Sequence, residues 1–117
     1  MKKTAILLAA LLMTSTAPYA GGITGNELLA NCQSDDGLDK TSCYRYVNGV
    51  GDGIKVADEL SIRARGVAIT RICFPNEVTA GQVAAVAVRF MNAHPQDLHL
   101  AAVVLLLRAY SEAWPCK

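Results

Sequence analysis

The C-terminal part of the chain contains residue types that metal sites and nucleophilic catalysis use. His94 and His99, the two histidines of the sequence, lie there together with Cys116. Zinc sites on a helix use histidines four residues apart, because that spacing places both side chains on one face. His94 and His99 are five positions apart, which is ~140° around a helix. We therefore expect no metal site: His94 should cap a helix and His99 should pack in the core.

Disulfides explain the four cysteines better than nucleophilic catalysis does. An even number of cysteines in a small exported domain is typical of a disulfide framework, whereas a nucleophilic cysteine needs a free thiolate beside a base. Cys32, ending one predicted helix, and Cys43, opening the next, should form one bridge. The tight turn "AHPQ" makes the next two helices antiparallel, so Cys73 and Cys116 should form the other. No catalytic set and no cofactor site can be named, and we expect a protein that is not an enzyme.

The first residues have the pattern of a secretory signal peptide. Lys2 and Lys3 precede an apolar run from Ala5 to Met13, and small residues follow. We expect residues 1–20 to be cleaved and residues 21–117 to form one exported domain. Loss of two of the 11 basic residues leaves nine against ten acidic ones, a net charge of −1. A chain without a basic stripe is not expected to bind nucleic acid.

Helix signals follow the leader, and no strand pattern of any length is present. Thr24 with Glu27, and Thr79 with Gln82, have the spacing of a capping box, in which the threonine oxygen accepts from the N3 amide. The fold class is therefore all-α, a small four-to-five-helix bundle crosslinked by two disulfides. We predict helices over residues 25–32, from about 42 to about 60, over 80–93 and from Pro95 onward, with a break at Gly66.

The predicted fourth helix is apolar almost all round. Residues 98–107 are its most apolar run and are bounded by Asp97 and Arg108. Such a run is far shorter than the ~20 residues that cross a bilayer, so we expect no membrane insertion after signal removal. A helix of this kind lies in the core or uses a second face for a partner. We expect a core helix.

Two exposed, charged segments are candidates for contact with a partner protein. The first, an acidic turn, lacks the alternate spacing and distal glutamate of a calcium-binding loop; it contains Asp35, Asp36 and Asp39. The second, near the end of the second helix, has mixed charge; it contains Asp58, Glu59, Arg63 and Arg65. A solvated surface is the simpler interpretation of both segments, and partner contact is the alternative.

Three glycines in "NGVGDG" at residues 48–53 could suggest a phosphate-binding loop. Such loops follow a strand and open a helix within a βαβ unit, and no strand is predicted here. We interpret Gly49, Gly51 and Gly53 as positions where two helices approach closely.

The order of the motifs resembles the Rap/Tai-type immunity family of bacterial type VI secretion systems. The similar segments are "TGNELLANC", "GVGDGI", "CFPNEVTAGQ" and "FMNAHPQDLHLAAVVLLLRAYSEAWPC", which together cover about Thr24 to Cys116. The resemblance implies an all-helical, disulfide-bonded periplasmic protein, often a homodimer, that binds and blocks a secreted peptidoglycan amidase effector. It assigns no contact residue, because contacts vary with the effector.

Two further function classes fit the same features. A small acid-activated chaperone of the HdeA-like type would expose an apolar helix when carboxylates such as Asp97 are protonated. A structural or assembly module of an envelope complex would need only a rigid binding domain. A neighbouring gene for a secreted amidase with a catalytic cysteine and histidine would favour the immunity function over both.

Overall fold

The structure, a computed structural model, describes residues 22–117. Its helices are α1 (Gly25–Gln33), α2 (Gly37–Arg65), α3 (Ala80–Ala93) and α4 (Ala102–Ala113), with a 3-10 helix at Pro95–Asp97 between the last two. Within these residues no strand forms, and the only sheet-like pairing is two isolated bridges. The predicted all-α bundle is confirmed, whereas the predicted signal peptide lies outside the described residues.

Local capping signals set the starts of α1 and α3. The Thr24 hydroxyl accepts from the Glu27 amide at 3.3 Å, and the Glu27 carboxylate accepts from the Thr24 amide at 2.7 Å. Thr79 and Gln82 make the same pair of bonds at 3.2 and 2.8 Å. Both predicted capping boxes are therefore present.

Helix α2 is longer at both ends than the sequence predicts. The Asp36 carboxylate accepts from the amides of Leu38 and Asp39 at 2.8 and 3.2 Å, so the helix begins at Gly37 and the expected start near residue 42 is wrong. The helix also continues past residue 60 to Arg65. It ends at Gly66, the predicted break, which adopts a left-handed φ of 77°.

The predicted fourth helix does not start at Pro95. Residues 95–97 form a 3-10 turn, and α4 begins at Ala102. The carbonyls of Leu98 and Leu100 accept from the amides at the start of α1, each at 2.9 Å, and cannot join a continuing helix. This change of path leaves His99 exposed, so its predicted place in the core is wrong.

The core forms where α3 packs between α2 and α4, with α1 against α2. Leu105 and Leu106 of α4 are fully buried, which confirms it as a core helix. Tyr110 is also fully buried, and its hydroxyl donates to the Val47 carbonyl of α2 at 2.8 Å. Burial raises the pKa of Tyr110 above its ordinary value, so the phenol remains a neutral donor.

Both predicted disulfides, Cys32–Cys43 and Cys73–Cys116, are present. The first joins the end of α1 to the first turns of α2. The second joins the segment before α3 to the C-terminus, as expected for an antiparallel α3–α4 pair. None of the described helices is long and apolar enough to span a membrane.

Candidate partner-binding surface

The acidic turn uses two of its three carboxylates to build the fold. Asp36 caps α2, and the Asp39 carboxylate accepts from the Ser34 hydroxyl at 2.7 Å. Asp35 is exposed. Only one carboxylate of the turn, that of Asp35, therefore has no assigned role in folding. The acidic turn is for this reason a weaker candidate for partner contact than its sequence indicates.

The mixed-charge segment lies on an arm formed by residues 55–72. The arm consists of the last turns of α2 and the segment that returns along them. Of the α2 residues after Ile54, only Ser61 is buried. The Asp58 carboxylate holds the return segment, because it accepts from the Thr70 amide at 2.7 Å and from the Thr70 hydroxyl.

These contacts change the proton affinity of Asp58. Burial raises the pKa of this carboxyl, but hydrogen bonds from Thr70 and from the backbone of Ile69 outweigh that effect and hold the pKa below its ordinary value. Asp58 is therefore ionised at neutral pH. The carboxylate holds the return segment of the arm against α2, and its contact with a partner, one of the two interpretations that the sequence allows, stays a prediction.

The other charges of the arm face solvent. Glu59 and Arg63 form an exposed ion pair one turn apart, which contributes little to stability. Arg65 lies in a separate cleft with Leu60 and Ile69. The two candidate segments are also distant from each other, since Asp36 and Asp58 are ~33 Å apart along one continuous helix.

A groove on one side of the arm brings charged and apolar residues together. We call it the arm groove; it has a volume of about 560 Å³ and is lined by Lys55, Asp58, Glu59, Ile62, Arg63, Ile72, Phe74, Pro75 and Asn76. Ile62 is 52% exposed at its wall. Lys55 lies over the Phe74 ring, with Nζ 5.0 Å from the ring centroid. An apolar centre with a charged rim is the usual arrangement of a protein interface.

The floor of the arm groove is fixed to the core. The Phe74 ring packs edge-on against Tyr110, with centroids 5.4 Å apart, and lies 5.1 Å from the Trp114 ring. The Cys73 amide donates to the Trp114 carbonyl at 2.8 Å, next to the Cys73–Cys116 bridge. The groove is thus preorganised, which reduces the ordering cost of binding.

Only part of this surface is visible in the sequence. Asp58, Glu59 and Arg63 were predicted as candidates and line the groove. Lys55, Ile62 and Phe74 also line it and were not predicted. Neighbouring charges are visible along a sequence, whereas the position of Phe74 depends on contacts with residues far along the chain. The one available signal was the aromatic residue directly after a disulfide cysteine.

A second groove, of about 500 Å³, adjoins the first at Pro75. It lies beside the start of α3, and Trp114 and Glu77 are among the residues that line it. Glu77 is its only charged lining residue within the described chain. Its apolar surface extends the arm groove around Pro75 and could accept a larger partner.

The histidines and cysteines form no reactive centre in the described part of the chain. The His94 ring nitrogen Nδ1 lies 2.8 Å from the Phe90 carbonyl, and His94 caps the end of α3. His99 Nδ1 lies 3.1 Å from the Gln96 carbonyl. No cluster of three potential metal ligands occurs in residues 22–117, and all four cysteines are in disulfides.

A family model described as Rap1a immunity proteins matches residues 24–116, which is most of the chain. No curated protein and no solved structure matches significantly.

Proposed function

The chain belongs to the Rap1a immunity protein family, and on this premise we propose that it is a periplasmic protein that binds and blocks a peptidoglycan amidase effector of a type VI secretion system. Membership in an immunity family implies a protein partner, the effector. The resemblance also implies that the effector is an amidase, that the protein lies in the periplasm and that it forms a homodimer. We include these three statements in the proposal.

The oxidised cysteines support a location outside the cytoplasm. Disulfides persist in the periplasm and are rare in a reducing cytosol. The signal-peptide pattern of residues 1–20 fits the same location. A periplasmic binding protein would meet cell-wall hydrolases where these act.

The arm groove is the surface we assign to the effector. The observation that carries the assignment is its preorganised apolar floor, fixed by Phe74, beneath the charged rim of Lys55, Glu59 and Arg63. Binding energy in protein interfaces is concentrated in a few central, well-packed residues surrounded by a polar rim. Ile62 and Phe74 supply apolar surface inside that rim. The acidic turn is less suited, because Asp36 and Asp39 are engaged within the chain.

A pair of matched substitutions tests the assignment. Ile62→Gln removes an apolar side chain from the arm groove, and Leu38→Gln makes the same kind of change at an exposed site (82% exposed) at the other end of α2, ~36 Å away. We expect Ile62→Gln to weaken effector binding at least tenfold, corresponding to ~1.4 kcal/mol, and Leu38→Gln to leave it unchanged. Calorimetric titration of each variant with the purified effector measures both. Equal affinity for the two variants would place the effector elsewhere.

The second candidate function is an HdeA-like acid-activated chaperone. The observation that favours it is the Asp58–Thr70 contact, which protonation of the carboxylate would weaken, loosening the return segment that carries Val67 and Ile69. These two side chains are already 62% and 61% exposed. A chaperone of this kind suppresses client aggregation only in acid, at a pH below the ordinary carboxyl value of ~4, since the hydrogen bonds to Asp58 lower its pKa. Light scattering of an acid-unfolded client, with and without the protein, separates the two functions.

A further inference from the structure

The end of the arm combines basic and apolar residues in an exposed position. Residues 60–72 read "LSIRARGVAITRI" and contain three arginines but no acidic residue. Every residue from 62 to 69 is exposed. Four large apolar side chains of this stretch are each more than half exposed: Leu60, Ile62, Val67 and Ile69. Exposed apolar patches of this kind mark a contact with another protein or with a membrane.

Part of this stretch lies outside the arm groove. We call its exposed large apolar and basic residues that do not line the groove the arm tip: Leu60, Arg65, Val67, Ile69 and Arg71. Leu60 points ~160° around α2 from Ile62 of the groove. Leu60, Arg65 and Ile69 line one cleft, and Val67 and Arg71 line another. Each cleft therefore places an arginine beside apolar side chains.

The arginines of the arm tip are not neutralised by the described part of the chain. Of the two acidic residues just before the stretch, Glu59 pairs with Arg63 and Asp58 accepts from Thr70. The other salt bridge of residues 22–117 is on α4 and does not involve the arm. The expected net charge of the exported chain is −1, so the arm tip is a local positive surface on a nearly neutral protein.

A buried hydroxyl in the first cleft gives a second, independent observation. Ser61 is 5% exposed, and its Oγ has no hydrogen-bond partner in the described chain. It lines the cleft of about 360 Å³ that also contains Leu60, Arg65 and Ile69. Buried hydroxyls in native proteins are nearly always hydrogen-bonded. Apolar walls, a free hydroxyl and a guanidinium together suit an amphiphile with acceptor oxygens, such as the glycerol-phosphate part of a phospholipid.

We propose that the arm tip binds the surface of a bilayer that contains anionic phospholipids. Arg65 and Arg71 would lie at the level of the lipid phosphates, while Leu60, Val67 and Ile69 would enter the boundary between the headgroups and the acyl chains. Segments that lie on membranes bind through buried apolar area together with attraction to anionic lipid. The contact is with the membrane surface and requires no spanning helix.

The apolar side chains favour a membrane over an acidic protein as the partner. An acidic protein surface would pair with the two arginines but would gain little from the three apolar side chains beside them. A bilayer accommodates both kinds of group, because its phosphates lie directly above its acyl chains. With only two free arginines, the binding should be weak and reversible. It uses residues outside the arm groove and does not depend on the identity of the effector.

Co-sedimentation with lipid vesicles tests the proposal. The exported, oxidised protein is mixed with vesicles of phosphatidylcholine alone or of phosphatidylcholine with about 30% phosphatidylglycerol, and the bound fraction gives a partition coefficient. We expect the coefficient to be about tenfold or more higher for the anionic vesicles at low salt. It should fall as salt screens the attraction. Equal partition into the two kinds of vesicle overturns the proposal.

Matched substitutions locate the contact at the arm tip. Arg65→Gln should lower the partition coefficient about fivefold, whereas Arg45→Gln, which removes the same charge from another exposed site of α2, should change it less than about twofold. Ile69→Gln should lower it about fivefold or more, and Leu38→Gln, at the other end of α2, should leave it unchanged. All four positions are exposed, so the variants should remain folded.

The apolar variant separates a membrane from an acidic protein. If Arg65→Gln weakens binding and Ile69→Gln does not, the attraction is purely ionic and would serve any acidic partner, which overturns the proposal. Arm-tip variants that match their controls overturn it as well. No effector is present in the assay, so its result is independent of the function proposed for the arm groove.

Discussion

The Asp58 carboxylate accepts hydrogen bonds from both the amide and the hydroxyl of Thr70, and this contact fixes the return segment of the arm on α2. The two residues are twelve positions apart on either side of the helix end at Gly66. Without this contact, the return segment that leads to Phe74 would lose its hydrogen bonds to α2 at Thr70. A structural carboxylate thus positions the surface that we assign to the effector.

Replacement of Asp58 should destabilise the arm more than replacement of its charged neighbour. Asp58→Asn removes the charge that favours both Thr70 bonds, and we expect a loss of ~1–2 kcal/mol. The exposed Glu59→Gln change should cost less than ~0.5 kcal/mol. Urea unfolding followed by circular dichroism measures both, and amide exchange should accelerate over residues 67–72 in Asp58→Asn alone. Identical stabilities of the two variants would contradict the structural role of Asp58.

Stability should fall in acid, because Asp58 and Glu27 have folded-state pKa values below their ordinary values. For Glu27 the causes are the hydrogen bonds from the backbone and side chain of Thr24. As the pH falls, these carboxyls take up protons at a higher pH in the unfolded state than in the folded state. The stability that the two carboxylates contribute is therefore complete above their unfolded pKa of ~4 and is lost as the pH falls through their folded pKa. Thermal unfolding from about pH 7 to about pH 2 should show the decline mainly below ~4. The decline should be smaller in Asp58→Asn; an unchanged slope would show that Asp58 has the same pKa folded and unfolded.

Removal of the Tyr110 hydroxyl should weaken the core beneath the arm groove. Tyr110→Phe keeps the ring contacts with Phe74 but removes the hydroxyl that donates to the Val47 carbonyl. We expect a loss of ~1–2 kcal/mol in the free energy of unfolding. The matched change Tyr44→Phe, at an exposed position (46% exposed), should be near zero. If both changes are neutral, the Tyr110 bond does not contribute to stability.

The two disulfides should differ in their contribution to stability. Cys73–Cys116 closes a sequence separation of 43 and Cys32–Cys43 one of 11. In the chain-entropy model the longer loop stabilises by ~4 kcal/mol and the shorter by ~3 kcal/mol. Paired cysteine-to-alanine variants, compared by denaturant unfolding, should lose stability in that order. The reverse order would show that native-state contacts near Cys32 and Cys43 outweigh loop closure.

Local sequence signals predicted the features that depend on few residues. The capping boxes at Thr24 and Thr79 need only residues three positions apart, and the disulfide pairs follow from the order of antiparallel helices. The start of α2 was missed because Asp36 and Asp39 fit both a polar turn and a helix cap, and only the cap fits the observed bonds.

Features that depend on distant residues could not be predicted. The helix expected from Pro95 fails because Leu98 and Leu100 bond to the start of α1, some 70 positions earlier. The arm groove depends in the same way on Phe74 reaching Tyr110 and Trp114. The charges at its rim are visible in sequence, but its floor is a product of the tertiary fold.

Capture of the partner tests the central claim most directly. The oxidised protein is immobilised and incubated at neutral pH with periplasmic extract of the source cells, and bound proteins are identified by mass spectrometry. The immunity function predicts one stoichiometric wall hydrolase whose amidase activity on peptidoglycan falls to zero when the protein is added in equimolar amount. Capture of no hydrolase, or of one whose activity is unchanged at saturation, would contradict it.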